Sequence, residues 1–468
     1  RLFDRLKLGY SAMYSHRKTD NGNNSVFLNG TTLNPVTRIY DEEGALQYYP
    51  SPYCESFMQI NPKYYVSDEY LENQSFRDRA FFNFSAELDI IDGLSFRTSL
   101  TPDFQFIEDG NYNSPYMNLM SYNSLSYKKT TEKSLTFTNI LKYDKQIGIH
   151  NLSVSAVHDM QTYTTDYLQL TGSDVPYYGK WYNVNEAPDI FERKSSYTKW
   201  SLLSFMGRIN YTLKDKYLLT FTARYDGSSS FGSNNRYGFF PSGAIAWRVS
   251  DESFMRNVKF LDDLKIKFSV GKTGVQNFDL GSYANKDLYS TGSYLDNPSI
   301  VHSQLGNKDI KWETTVQYDL GIDFSILRSL LSGSIAYYRK NTDDLIWTYT
   351  PPSSLAVEPI PTNVGSVRNQ GIEISLRANL LRGKKDWSWE LGLNASHNRN
   401  KVLELVEQGE TDNGMGITIQ GSGNQVLAEG HAMGAFFGYQ YEGIIQDQAT
   451  INELNAQAVA AGKNTYNG

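Results

Sequence analysis

Residues 80–100, AFFNFSAELDIIDGLSFRTSL, alternate between apolar and polar side chains in steps of two. The alternation breaks at Asp92-Gly93 and then resumes. One side carries Phe82, Phe84, Ala86, Leu88 and Ile90, followed after the break by Leu94, Phe96 and Leu100; the other carries Asn83, Ser85, Glu87 and Asp89, followed by Ser95, Arg97 and Ser99. Because successive side chains of a strand point to opposite faces, the stretch predicts a β-hairpin with one apolar and one polar face.

The same alternation recurs along most of the chain, as in TVQYDLGIDFSI at 315–326 and GIEISLRANLL at 371–381. It predicts an all-β protein of about fourteen strands. The candidate strands lie near 6–18, 80–91, 94–108, 132–145, 150–170, 197–213, 217–228, 240–250, 264–273, 311–327, 331–347, 363–381, 386–401 and 435–446.

The connections between these strands alternate between short and long. Turns such as IDG, LKDK and RGKKD are tight, whereas the predicted long loops cover 19–79, 109–131, 171–196, 274–310, 348–362 and 402–434. Outer-membrane barrels combine short periplasmic turns with long extracellular loops, and their strands need about 9–11 residues to cross the bilayer. We therefore predict a transmembrane antiparallel β-barrel. A soluble β-sandwich array or a propeller is the alternative, although strands in those folds are shorter.

Composition excludes several other classes of protein. The 468 residues contain no apolar run long enough for a membrane helix, which needs about 18 residues. The net charge is −7 and the basic residues are scattered, so we expect no nucleic-acid partner. One cysteine, Cys54, excludes an internal disulfide and a cysteine zinc site. Aromatic residues make up 14% of the chain, a content that suits a membrane barrel.

Four stretches carry a specific resemblance. They are GRINYTLKDKYLLTFTARYDGSSSFGSNNRYGFFPSGAIAWRVSDESFM (207–255), LKIKFSVGKTGVQN (264–277), LGNKDIKWETTVQYDLGIDFSILRSLLSGSIAYYRKNTDDLIW (305–347) and NVGSVRNQGIEISL (363–376). Their strand and turn patterns resemble the barrel of the SusC/RagA family, the TonB-dependent outer-membrane transporters of Bacteroidota. The resemblance extends over nearly the whole chain.

The resemblance implies a 22-stranded barrel, an N-terminal plug, a segment that binds periplasmic TonB, and a SusD-like surface lipoprotein over the outer mouth. No stretch of this sequence matches the plug or the TonB-binding segment. We therefore expect residues 1–468 to be a partial barrel domain, without the plug and the C-terminal strands. The cell outer membrane is the implied location, with outer-membrane lipid around the barrel.

Aromatic residues on the predicted long loops are our candidates for cargo binding. A sugar ring has C–H bonds on its faces and hydroxyls at its edge, so it suits an aromatic ring flanked by amides and carboxylates. Aromatic loop residues also pack on one another or on a partner protein, where they are enriched as well. The candidates are Tyr112, Tyr116, Tyr177, Tyr178, Trp181 and Tyr182.

The predicted function is import of an oligosaccharide or a peptide into the periplasm, energised through TonB. The alternatives are an uncoupled outer-membrane porin and a soluble glycan-binding β-protein. We expect no enzymatic activity, metal or cofactor. The six histidines lack the i, i+4 spacing of a zinc-protease helix, and no Gly-x-Ser-x-Gly motif is present.

Overall fold

The computed structural model describes residues 5–23, 25–51, 60–117, 122–175, 180–276, 283–294, 297–349, 360–384, 387–405, 417–418, 425–436, 438, 440–441, 443–445 and 447–462. These residues divide into two compact units, Arg1–Asn398 and Arg399–Gly468. The helices are α1 (Ser25–Thr32) and α2 (Gln448–Ala460). Over the described ranges, no helix is both long and apolar enough to cross a membrane.

Strands account for most of the described chain. They are β1 (Leu6–Asp20), β2 (Arg38–Tyr40), β3 (Leu46–Ser51), β4 (Leu71–Ile91), β5 (Leu94–Asn113), β6 (Ser124–Ile147), β7 (His150–Ser173), β8 (Asp189–Leu213), β9 (Tyr217–Ser228), β10 (Tyr237–Arg248), β11 (Leu261–Val275), β12 (Leu288–Tyr294), β13 (Asn297–Gln304), β14 (Glu313–Ile326), β15 (Leu331–Asp343), β16 (Ile346–Tyr349), β17 (Ile360–Asn363), β18 (Ser366–Lys384), β19 (Trp387–Glu404), β20 (Ile417–Thr418), β21 (Gln425–Leu427) and β22 (Ala435–Phe436).

One sheet of thirteen strands dominates the first unit. Its order is β1-β4-β5-β6-β7-β8-β9-β10-β11-β14-β15-β18-β19, so each strand pairs with the next long strand of the sequence. Every pair from β1 to β18 is antiparallel. Outside this order, β2 with β3, β12 with β13 and β16 with β17 form short hairpins within the long connections. Strands β20, β21 and β22 form a small sheet of their own. The predicted all-β antiparallel architecture is confirmed.

Register aligns the apolar positions of neighbouring strands into continuous rows. One such row crosses six strands from β9 to β18, and its side chains are 40–54% exposed. It consists of the direct partners Leu219, Ile245, Phe268, Leu320, Tyr337 and Ile372. We call the side of the sheet that carries this row the apolar face. Exposed large apolar side chains in a continuous row indicate contact with something other than water.

The opposite side of the sheet, the polar face, carries hydrogen-bonded polar side chains. Ser269 donates to Asp319 across the strand pair at 3.1 Å, and the Lys267 ammonium lies 2.6 Å from the Asp323 carboxylate. In the opening hairpin, Asn83 donates to Thr101 at 2.7 Å. Phe84 lies on the apolar face opposite Leu100, as the alternation of residues 80–100 predicts.

Strand length differs strongly around the sheet. Strands β4 to β8 have 20–25 residues each, whereas β9, β10, β11, β14 and β15 have 12–15. We call β4–β8 the tall wall. Its strands extend into the predicted loops 19–79, 109–131 and 171–196. The connections in the structure are therefore shorter than predicted and cover 21–70, 114–123 and 174–188. On these extensions the apolar side of the sheet mixes charged residues such as Asp78 and Lys129 with apolar ones such as Phe76 and Leu125, so the sequence does not alternate.

The predicted alternation of short and long connections is confirmed. The pairs β4–β5, β6–β7 and β8–β9 are joined by two or three residues, and the long connections lie at the opposite ends of the same strands. The fourteenth predicted wall strand, 435–446, is wrong. There the structure describes a strand only over Ala435–Phe436, and this strand pairs with β21.

Candidate functional site

Trp181 lies buried in the connection between β7 and β8. Its indole is 7% exposed and its Nε1 donates to Gln74 Oε1 at 3.3 Å. The ring stacks on Tyr127, with centroids 5.9 Å apart and planes 12° apart, and it covers Gly110 so closely that a Cβ there would lie 1.9 Å from Trp181 Cδ2. The segment 180–187 is therefore fixed against the tall wall. We call it the clasp.

The clasp shares its buried cluster with another predicted cargo residue, Tyr112. Tyr112 is 2% exposed and packs with Leu125, Val175 and Val184. A large aromatic ring buried to this extent contributes to packing. Tyr182, in contrast, is 62% exposed and meets Trp181 edge-on at 5.4 Å.

Register shows which side of the sheet the clasp covers. Gln74, Gly110 and Tyr127 are direct partners across β4, β5 and β6. No register shift separates them from Phe84 and Leu100 on the same strands, and each is an even number of residues away from its apolar-face neighbour. Because side chains alternate strictly along a strand, the clasp lies on the apolar side of the sheet, beyond the apolar rows.

Tyr116 belongs to a cluster of four tyrosines formed by the connections 21–70 and 114–123. Its ring lies 5.5 Å from that of Tyr64 and 5.6 Å from that of Tyr70, and Tyr48 completes the group. Tyr64 is 4% exposed and donates to the Leu46 carbonyl at 3.3 Å. Burial raises the pKa of Tyr64 to about 12. Tyr116 itself is 45% exposed.

The structure thus brings Tyr112, Trp181 and Tyr182 together and places Tyr116 in a separate cluster. Tyr177 and Tyr178 lie outside the described residues. Cargo contact by these six residues stays a prediction.

A different aromatic pair lies on the polar face of the tall wall. Tyr163 of β7 and Trp200 of β8 are direct cross-strand partners, and their rings stack with centroids 5.4 Å apart and planes 19° apart. Both side chains are half-buried. Such pairs contribute about 0.5–1.5 kcal/mol beyond the area they bury.

Charged and amide side chains surround the Tyr163–Trp200 pair. The Tyr163 hydroxyl lies beside the Glu132 carboxylate. The Arg79 guanidinium holds Asp103 through two hydrogen bonds, Nε to Oδ1 at 3.0 Å and Nη2 to Oδ2 at 2.6 Å. Gln161, two residues before Tyr163 on the same face, donates to Ser134 at 3.3 Å. The aromatic pair therefore has hydrogen-bonding groups along one side.

A packed group of loops lies beside the part of β8 that carries Trp200. Phe231, Ile310, Trp312 and Ile346 come from three different connections and are each at most 7% exposed, together with Phe240 of β10 and Ala284. We call this group the loop cluster. Leu202, two residues after Trp200 and on the same face, packs against it. The Tyr283 hydroxyl of one of these loops accepts the Lys199 backbone N–H at 3.1 Å.

Asparagine side chains join the loops of this cluster through backbone groups. Asn285 donates to the Phe231 carbonyl, Asn307 to Pro361 and Asn363 to Lys311, each at 2.8 Å. The Asp287 carboxylate accepts the Gly306 N–H at 2.9 Å, and this bond holds the pKa of Asp287 below its usual range. Buried loop backbone needs such partners, since an unpaired polar group is costly.

Sequence reasoning missed Tyr163 and Trp200 because both lie inside predicted strands, 150–170 and 197–213. A signal was present in the alternation. Tyr163 continues the polar series Ser153, Ser155, Asp159 and Gln161, where a large aromatic side chain is unusual. Within the described ranges, no three His, Cys, Asp or Glu side chains lie together in a way that could hold a metal ion.

The fold has the properties of a membrane barrel wall. An antiparallel sheet with one exposed apolar side, one hydrogen-bonded polar side, tight turns at one end and long connections at the other is the wall of an outer-membrane β-barrel. In such a wall the apolar face meets lipid and the polar face lines the lumen.

The chain belongs to the family described as TonB dependent receptor-like, beta-barrel, whose model matches residues 4–467. It is 31% identical over 375 residues to TonB-dependent receptor P3 of Formosa agariphila, covering 78% of this chain and 37% of that protein. It is 35% identical over 262 residues to TonB-dependent receptor SusC of Bacteroides thetaiotaomicron, covering 53% and 26%. Its type within the family is SusC/RagA, and its place is the outer membrane.

A solved structure shows the same fold. The structure of the RagAB peptide transporter superimposes with a TM-score of 0.79 at 21% sequence identity, covering 95% of this chain and 49% of that one. The chain spans less than half the length of each of these relatives.

Proposed function

We propose that the protein containing this chain imports an oligosaccharide or a peptide across the outer membrane, energised through TonB and covered by a SusD-like lipoprotein. The observation that carries the proposal is a SusC-type wall whose lumen face is polar and hydrogen-bonded. Such a face gives a polar solute a path that lipid does not offer. Relatives named SusC and RagAB support this proposal.

The arrangement of the loops also supports a role in binding at the outer mouth. The loop cluster, the tyrosine cluster and the clasp order the long connections, which all lie at the same end of the sheet. Ordered loops on a rigid scaffold are where binding residues concentrate. The exposed residues Tyr116 and Tyr182 remain candidates for contact with cargo or with the lipoprotein.

Uptake by intact cells tests the proposal. Cells that lack the gene should take up a labelled hexasaccharide or octapeptide more slowly than the parent strain. A protonophore, which removes the proton gradient that TonB uses, should abolish the difference. If uptake through the protein continues at full rate after the protonophore is added, the protein is an uncoupled porin. The soluble alternative is set aside because the family consists of outer-membrane barrels.

A further inference from the structure

We propose that Tyr163 and Trp200 form the stacking surface of a sugar-binding subsite on the lumen face of the tall wall. This inference rests on the proposed import function and deepens it, because it selects a glycan rather than a peptide. It also places the contact on strands, whereas the sequence predicts it on loops.

The location of the pair fits a binding site near the outer mouth. On the apolar face, Leu203, Met160 and Phe137 are direct partners in one row. One register step further toward the long loops, the apolar-face partners in β7 and β8 are Thr162 and Ser201, while their neighbour Leu135 on β6 is still apolar. In β7 and β8 the continuous apolar series therefore ends at the height of Tyr163 and Trp200. A solute entering from outside meets this pair before it reaches the membrane-embedded part of the lumen.

The surroundings of the pair supply what a sugar ring needs. The stacked rings offer flat apolar surface to the C–H bonds of a pyranose. Glu132 offers carboxylate oxygens beside the Tyr163 hydroxyl, and Gln161 offers an amide. Asp103 is already neutralised by Arg79, so the ion pair presents donors and acceptors with little net charge. Binding sites combine apolar walls with a few fixed polar groups in this way.

The same region is poorly suited to the commonest mode of peptide binding. An extended peptide gains affinity by adding a strand to a free sheet edge. Strand β7 is paired on both sides along its whole length, so Tyr163 lies within two ladders, whereas β8 pairs with β9 only from Leu202 to Leu213 and Trp200 lies beyond that ladder. Beside Trp200, loop residues occupy the edge of β8: the Lys199 and Ser201 N–H groups donate to Tyr283 and Ser229, and the Ser201 carbonyl accepts the Ser229 N–H. Recognition at the aromatic pair must therefore come from side chains.

The test uses the full-length protein purified in detergent. Calorimetry measures its binding to malto-, cello-, xylo- and laminari-hexaose and to a mixture of octapeptides. At least one hexasaccharide should bind, and Trp200→Ala should weaken that binding tenfold or more. Tyr163→Phe keeps the ring and should weaken it only a few-fold. Trp247→Ala is the control. Trp247 lies on the apolar face, at the end of β10 away from the long connections, so this variant should bind like the unmodified protein.

The inference is overturned if Trp200→Ala binds the hexasaccharide as tightly as the unmodified protein does. It is also overturned if the unmodified protein binds the octapeptides and no hexasaccharide, or binds none of these probes. Heat-modifiable gel migration confirms that each variant is folded. A wrong import function would give a different result. The protein would still bind the hexasaccharide through Trp200, but deleting the gene would leave uptake of the hexasaccharide unchanged.

Discussion

Replacing Gly110 by alanine should detach the clasp. A Cβ at position 110 would lie 1.9 Å from Trp181 Cδ2, and the indole has no room to move because it also stacks on Tyr127. A buried tryptophan covers about 150–250 Å². At about 25 cal/mol per Å², expelling the indole costs the clasp up to about 4–6 kcal/mol, an upper bound. The bond from Trp181 to Gln74 adds about 1 kcal/mol.

Hydrogen exchange at the clasp measures this loss. The Glu186 and Ala187 amides donate to Asn183 and Val184 at 3.0 and 3.2 Å, so their protection reports whether the clasp is in place. Gly110→Ala should increase their exchange by at least a hundredfold while β4–β8 stay protected. Gly207→Ala is the control, because no atom lies within 4 Å of a Cβ there. Unchanged exchange in Gly110→Ala would refute the reasoning.

Three further predictions concern the wall and the loops. Ile245→Arg on the apolar face should destabilise the barrel in lipid by about 2–4 kcal/mol, whereas Ala244→Arg, on the polar face next to it, should destabilise it far less. Urea unfolding in lipid vesicles measures both free energies of unfolding. Equal losses would contradict the assignment of Ile245 to the lipid-facing side. The lowered pKa of Asp287 means that its stabilising effect is fully present above the ordinary carboxyl pKa of about 4 and is lost as the pH falls from there through the lowered folded-state pKa. Relative to its rate on an unfolded peptide at the same pH, pepsin should therefore cut the segment 283–312 faster at pH 3 than at pH 5, and Asp287→Asn should remove most of that difference. Gly232→Ala would place a Cβ 1.7 Å from the Lys308 carbonyl oxygen, so it should destabilise the loop cluster by about 1–3 kcal/mol. Faster hydrogen exchange of the Asn307 amide, which donates to Ala284, would show this loss. An unchanged exchange rate would argue against this packing.

The sequence predicts the wall well wherever one face is apolar. At residues 80–100 the alternation identifies both strands, the turn and the face of each side chain, because lipid and water select opposite residues at successive positions. The prediction fails where the strands rise beyond the membrane. There Asp78, Glu108 and Lys129 lie on the same side as Phe84 and Leu100, so neither face is apolar and the alternation disappears.

The candidate site shows a different limit. Trp181 and Tyr182 are adjacent in the sequence, yet one is 7% exposed and the other 62%. What separates them is Gly110, about seventy residues earlier, whose missing side chain leaves room for one indole. Tyr163 and Trp200 are likewise brought together only by the register of β7 against β8. Composition and local pattern contain no information about such pairings.

The order of the strands also has a consequence for how the wall assembles. Because β6 and β7 are joined by two residues, closing their 24-residue ladder costs little chain entropy, whereas pairing β1 with β4 closes a connection of about fifty residues. Because the entropy cost of closing a loop grows only as the logarithm of its length, pairing β1 with β4 is slower but still favourable. We expect the hairpins with tight turns to form first and then to join through the long connections. Insertions in those connections would then change the outer mouth and leave the first folding steps intact.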